Sequence, residues 1–237
     1  MLKLLAGAVL FGLGLAASPV AAGTYDAFTS FNGVQGAGHF TYGSYVAGAG
    51  TFTQFTSTSG CASLISDAAC LHDASLPGVF KTTTGAHTSG TVIVPGDRLI
   101  LHPGQFDNSA YVMFTAVSAN LYDLNAGFSV QDTSPSGVGI TYFTIVGGVL
   151  NLEFAGDLGA TAAGFSNFQS LTMAAGDAFG FIIDKGSEYY NDSTGVGFTV
   201  TSVPEPATWS LLIAGFALTG FAMRRRQVAF AGRAAAR

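Results

Sequence analysis

The chain has 237 residues, of which 49 % are apolar and only 10 % charged, with 32 Gly, 20 Phe and 8 Tyr. That composition excludes a disordered chain, which is poor in aromatics and rich in charge, and the length allows one or two domains. Residues 23–203 hold three basic side chains (Lys81, Arg98, Lys185) against thirteen acidic ones, a net of −10 with His neutral. Such a body lacks the positive footprint that nucleic-acid binding demands. It suits solubility outside the cell and the binding of cations.

The N-terminus reads as an address. Met1, Leu2 and Lys3 precede an apolar run over 4–17, and small residues follow, ending in Val20-Ala21-Ala22. One positive charge, a short apolar stretch and a small-residue exit make a cleavable secretory signal peptide at 1–22. The run is too short for a comfortable membrane span.

Residues 23–202 read as one secreted all-β domain. In its first part, Phe28, Phe31, Phe40, Phe52 and Phe55 lie in a Gly- and Thr-rich stretch and order it against the rest. Residues 62–69 allow at most one turn of helix. Strands are expected at 91–94 and 98–102 around Pro95-Gly96-Asp97, then at 111–116. One or two more fall within 121–131, with Phe128 and Val130 on one face. Gly147-Gly148 between 138–146 and 149–154 is a hairpin signal. Leu150, Leu152 and Phe154 alternate with Asn151 and Glu153; Phe179, Phe181 and Ile183 alternate again, and Val196, Phe198 and Val200 close the domain. This period of two predicts an antiparallel β-sandwich, with a jelly roll as the preferred topology.

The two cysteines, Cys61 and Cys70, both lie in the exported part, so a disulfide is expected. The chain-entropy treatment gives roughly 2.7 kcal/mol for a ten-residue loop. A metal site there lacks ligands beyond His72, and a reactive thiol pair favours a two-residue gap.

The C-terminus has three parts. Pro204-Glu205-Pro206 comes first, an uncharged run over 207–223 with Trp209 and Gly215-Phe216 follows, and Arg224-Arg225-Arg226 ends it. As a helix, those 17 residues span about 26 Å, a marginal crossing of a hydrocarbon core about 30 Å thick. Arginines stay on the cytoplasmic side, so 207–223 is a single transmembrane helix with the body outside and 227–237 as a cytoplasmic tail. Over 203–226 the pattern resembles the PEP-CTERM sorting signal of Gram-negative bacteria. The resemblance implies recognition by a membrane-embedded exosortase, cutting near Pro204-Glu205-Pro206, and delivery to the cell surface or extracellular matrix. Two prolines hold such a segment extended and free of helix hydrogen bonds, and Glu205 resists entry into lipid.

For chemistry the sequence offers little. His39, His72, His87 and His102 form no metal-binding spacing, and no nucleophile elbow, phosphate loop or dinucleotide fingerprint occurs. The chain is read as a non-enzyme. Tyr189-Tyr190-Asn191-Asp192 and the following Ser193-Thr194-Gly195 serve either as a sugar- or Ca²⁺-binding loop or as a turn between strands, which wants the same residue types. Leu101-His102-Pro103-Gly104 with Asp107 and Asn108 reads as a strand end running into a turn. In architecture the body resembles jelly-roll modules of secreted carbohydrate-binding proteins. The residues that carry this are 112–116, 128–132, Ala175-Gly176-Asp177 and 192–195. The resemblance assigns no binding residue. The reading is an exported surface or matrix protein of structural or adhesive character, processed by an exosortase-type enzyme after a transient membrane anchor. A polysaccharide-binding module is the alternative and a secreted hydrolase a third reading.

Overall fold

Alternation of side chains along extended backbone dictates the architecture, because each strand must bury one face. The computed structural model describes residues 22–73, 76–159, 164–203, 212–221 and 223–224. Along the body run β1 (Thr24–Asp26), β2 (Phe40–Val46), β3 (Thr51–Gln54), β4 (Ala68–His72), β5 (Gly78–Thr82), β6 (His87–Ser89), β7 (Val92–Val94) and β8 (Leu99–His102). They continue as β9 (Asn108–Thr115), β10 (Asn120–Val130), β11 (Val138–Val146), β12 (Val149–Leu158), β13 (Phe165–Met173), β14 (Ala178–Lys185) and β15 (Thr194–Val203). Among the described residues of the body, helix is confined to short turns: α1 (Ala27–Ser30), α2 (Cys61–Leu64) and a 3₁₀ turn at Ala37–His39. The Asp26 carboxylate caps α1 by accepting from the Thr29 N–H at 2.7 Å.

Two antiparallel sheets carry the body. One has the order β13-β10-β15-β8-β5-β4, with β1 also on β15; the other has β12-β11-β14-β9-β2-β3. The eight strands from β8 to β15 pair in nested fashion: β8 with β15, β9 with β14, β10 with β13 and β11 with β12. The small β6–β7 hairpin stands off both sheets.

The core lies between the sheets and is aromatic. Phe198 on β15 meets Phe40, Phe179 and Phe181 of the opposite sheet, with centroids 5.4, 5.4 and 5.2 Å away. These tilted and edge-on contacts suit ring quadrupoles. Phe31, Phe40 and Phe55 join this core and Phe28 packs against it, whereas Phe52 packs on the outer face of the second sheet with Tyr45, Tyr111 and Phe143. Gly43 permits that outer cluster, since a Cβ there would collide with the Tyr111 ring. Cys61 and Cys70 are bonded as expected, joining α2 to β4.

Several expectations shift. Residues 121–130 belong to one eleven-residue strand, Asn120–Val130, and Gln131 lies beyond its end. β7 pairs with β6 and not with the sheet that holds β8. Residues 68–69 are strand, so the helical turn ends at Leu64. The alternation of β12 runs opposite to a buried-apolar reading. Asn151 and Glu153 face the inter-sheet side opposite Thr144 and Tyr142, while Phe154 is 68 % exposed. β12 is an edge strand, so its inner side borders water.

The C-terminal stretch forms a second unit. In it, residues 212–221 are helical, as are 223–224. Ten residues extend about 15 Å, half the hydrocarbon thickness. Among the described residues no helix is long and apolar enough to cross a membrane. Residues 207–211 and 222 of the expected span, and the signal peptide through residue 21, lie outside the described residues.

Candidate functional site

The ladder of the last body strand stops at Val203, whose partner is Leu121. The next residue is Pro204, which cannot donate to a ladder. Pro204, Glu205, Pro206, Arg225 and Arg226 lie outside the described residues, and Arg224 ends the described helical stretch. The last strand therefore ends immediately before Pro204-Glu205-Pro206. Gly23 and Ser202 clasp the two ends of the body, the Gly23 N–H donating to Ser202 Oγ at 2.7 Å.

The loop between β14 and β15 divides its residues. Tyr189 and Tyr190 stack on each other at 4.0 Å, with Tyr190 exposed. Asn191 adopts a left-handed φ of 61°, a turn feature. Asp192 points the other way and is buried. Its Oδ1 accepts from Ser136 Oγ, which also lies 3.2 Å from the Glu188 carbonyl and 3.3 Å from that of Tyr190. Burial pushes the Asp192 carboxyl up to about 6; hydrogen bonds from Ser136 and the Gly186 backbone oppose this, and the charge of Asp132 adds to it.

His102 sits where a strand end was expected, and Pro103-Gly104 begins the turn to β9. The Gly104 N–H donates to the Asn108 carbonyl at 2.6 Å, and Lys185 pairs with Asp107 at 3.3 Å. His102 is buried with its Nδ1 at 2.7 Å from the Pro103 carbonyl. Burial lowers its pKa, against the pull of that carbonyl and of Asp132. Among the described residues no three His, Cys, Asp or Glu side chains gather as metal ligands.

Two concavities among the described residues are lined by polar side chains. At the open edge between β12 and β13 a cleft of about 310 Å³ is lined by Tyr142, Thr144, Asn151, Glu153, Gln169 and Leu171. The Tyr142 hydroxyl is buried without a hydrogen-bond partner. On the outer face of the first sheet a shallow polar trough of about 240 Å³ is lined by Asp97, Arg98, Asn125, Gly127, Gly197 and Thr199. Gly127 and Gly197 pair as its floor, and Phe168, 66 % exposed, stands opposite Asn125 on the same face.

Residues 202–226 match the PEP-CTERM protein-sorting motif. The chain carries a PEP-CTERM sorting signal. No curated protein matches the chain. Among solved structures, similar folds include the C-terminal family 22 carbohydrate-binding module of Clostridium thermocellum Xyn10B. Its identity is 10 %, its TM-score 0.38, and the alignment covers 76 % of this chain and 92 % of that one. The K2 cleaved adhesin domain of Lys-gingipain aligns at 11 % identity and TM-score 0.37, over 77 % and 99 % of the two chains. A structure of CBM51-2 with INT domains from Clostridium perfringens ZmpB aligns at 9 % and 0.33, over 46 % of this chain but only 22 % of that one.

The PEP-CTERM signal marks the chain as an exported substrate of an exosortase. Its Pro-Glu-Pro element follows the final strand directly. Of the four loop residues read from sequence, the two tyrosines and Asp192 do not converge. Asp192 converges instead with Ser136, which does not stand near it in sequence. The cleft residues Tyr142, Glu153 and Gln169 were equally hidden, since only the pairing of β11 with β12 and the stacking of their sheet on the one that ends in β13 bring them to one edge.

Proposed function

We propose that this is a cell-surface or extracellular-matrix protein of structural or adhesive character, exported through a signal peptide over 1–22, anchored transiently by 207–223 and cut near Pro204-Glu205-Pro206. The observation that carries this is the sorting motif at 202–226. The body that would be released is a jelly roll in this reading. Its support is the nested pairing of β8 to β15, the order obtained when eight strands wrap as one long hairpin into two sheets. An intramolecular disulfide and few charges suit life outside the cell. Replacing Pro204, Glu205 and Pro206 by Ala leaves a longer, membrane-retained protein. Release of that variant like the wild type overturns the reading.

The cleft at the β12–β13 edge favours a second reading, polysaccharide binding. It offers a ring, a carboxylate, two amides and two hydroxyls around a space at the lower end of ligand-pocket volumes. The unpartnered Tyr142 hydroxyl would find its partner in a sugar hydroxyl. Affinity electrophoresis of the full chain in soluble polysaccharides tests this. Tyr142→Phe weakens binding about five- to tenfold, the worth of one hydrogen bond. Absence of retardation of the wild type in every polysaccharide removes the reading.

A further inference from the structure

Each sheet of the body ends in edge strands, and β12 has the edge that is both long and apolar. It runs ten residues, against four in β3 and five in β4. β13 has nine, but Ser166, Ser170 and Thr172 surround Phe168 on its exposed side. On the outer face of β12, Leu152 is 46 % and Phe154 68 % exposed, next to Phe143 and Ile145 of β11. Lys and Pro are the residues that ordinarily blunt such an edge, and β12 contains neither. Its charge within the regular stretch, Glu153, points inward. An inward charge opposes edge pairing unless the incoming strand brings it a partner.

The backbone of this edge is open in a defined pattern. Gly147 and Gly148 have φ of 57° and 81° and form a two-residue turn closed by Val146 and Val149. The closing pair of such a turn is hydrogen-bonded, and bonded and non-bonded pairs alternate from there. Val149, Asn151 and Glu153 therefore spend their N–H and C=O groups on β11, while Leu150, Leu152 and Phe154 direct theirs off the sheet. The regular stretch ends at Phe154. Beyond it Thr141 pairs with Phe154 but Ile140 with Gly156, which leaves Ala155 as a bulge.

We propose that β12 is a self-association edge, pairing antiparallel with β12 of a second copy about a two-fold axis at Leu152. That register lays Leu152 on the partner's Leu152 and Leu150 on the partner's Phe154, all on the outer face and all with open backbone groups. On the inner face it sets Asn151 against the partner's Glu153, so that the amide donates to the carboxylate, twice by symmetry. A shift of two residues one way opposes the two Glu153 carboxylates, which repel. The same shift the other way sets Glu153 against an apolar Val149. Within 150–154 the donor and the acceptor stand symmetrically about Leu152, and this self-complementarity selects a second copy over a foreign strand. Five paired residues per copy make an interface of the small, weak class. Each body also carries a net −10, so salt that screens like charge strengthens the pairing.

The test uses the full chain in neutral detergent, followed by sedimentation velocity over a range of concentrations at low and high salt. We expect a monomer–dimer equilibrium that tightens with salt. Leu152→Lys, which puts two like charges at the axis, weakens it at least about tenfold. Phe168→Lys, on the edge of the other sheet, leaves it unchanged. Leu152→Cys reads the register itself. The Cα atoms of a hydrogen-bonded antiparallel pair lie about 5.5 Å apart, within disulfide reach, so mild oxidation gives a covalent dimer, whereas Phe168→Cys gives none. Should Leu152→Lys fail to fold, this cross-link decides. A wild type that stays monomeric at every concentration overturns the proposal. So does a dimer that Leu152→Lys leaves intact, which would place the contact elsewhere, as on the C-terminal helix. Assemblies that grow beyond the dimer overturn it too, because a two-fold pairing closes on itself.

Discussion

Phe198 and Phe154 are both phenylalanines in alternating strands, yet their truncation separates widely. Phe198 is fully buried and meets three rings of the facing sheet within 5.4 Å. Phe198→Ala therefore costs about 3–5 kcal/mol, the range for an aromatic removed from a packed core. Lost ring pairing places it toward the upper end. Phe154 keeps only about a third of its surface covered. Full burial of Phe is worth about 1.5–3 kcal/mol, so Phe154→Ala costs under about 1 kcal/mol. Urea unfolding of the two variants, followed by Tyr fluorescence, measures both. For a body of this size the first substitution lowers Tm by about 10 °C or more and the second by about 2 °C. Comparable losses at the two sites would show that β12 turns its apolar side inward, and the cleft built on Glu153 and Tyr142 would not exist.

Opening the loop with Cys61→Ser and Cys70→Ser together lowers stability by roughly 2.7 kcal/mol on the chain-entropy treatment, read as a shift of the urea midpoint. Asp177 accepts from the Gly147 and Ala174 N–H groups at 2.9 Å each, and these bonds hold its pKa below the ordinary carboxylate value. Its contribution is present above the unfolded-state pKa and is lost as pH falls through the folded one, so Asp177→Asn flattens the acid limb of a stability–pH curve. An unchanged acid limb would refute that assignment. Gly197→Val fills the trough on the first sheet, where a Cβ meets nothing closer than 4.0 Å. It alters stability by no more than about 0.5 kcal/mol and leaves polysaccharide retardation intact. Loss of retardation would move the sugar from the cleft to the trough.

The parts of this fold legible in the sequence are those where local chemistry decides. Gly147-Gly148 fixes the β11–β12 hairpin, both glycines having positive φ. The strict alternation of β14 and β15 reflects central strands, one face of which is wholly inside the core. β13 escaped notice because polar Asn167 and Gln169 precede Leu171 and Met173 on its inward face while Phe168 faces out, which breaks the apolar period of two. β4 and β5 were hidden by brevity and by the Pro77 between them. The sorting signal was readable because its three parts are contiguous. The Ser136–Asp192 contact was not, because 56 residues separate the two side chains.

The most direct measurement is the intact mass of the protein recovered outside the membrane from cells with a working exosortase. The account predicts a chain that starts at Gly23, ends near Pro204-Glu205-Pro206, retains the Cys61–Cys70 bond and lacks 207–237. A released or surface form that still carries Arg224-Arg225-Arg226 would contradict it.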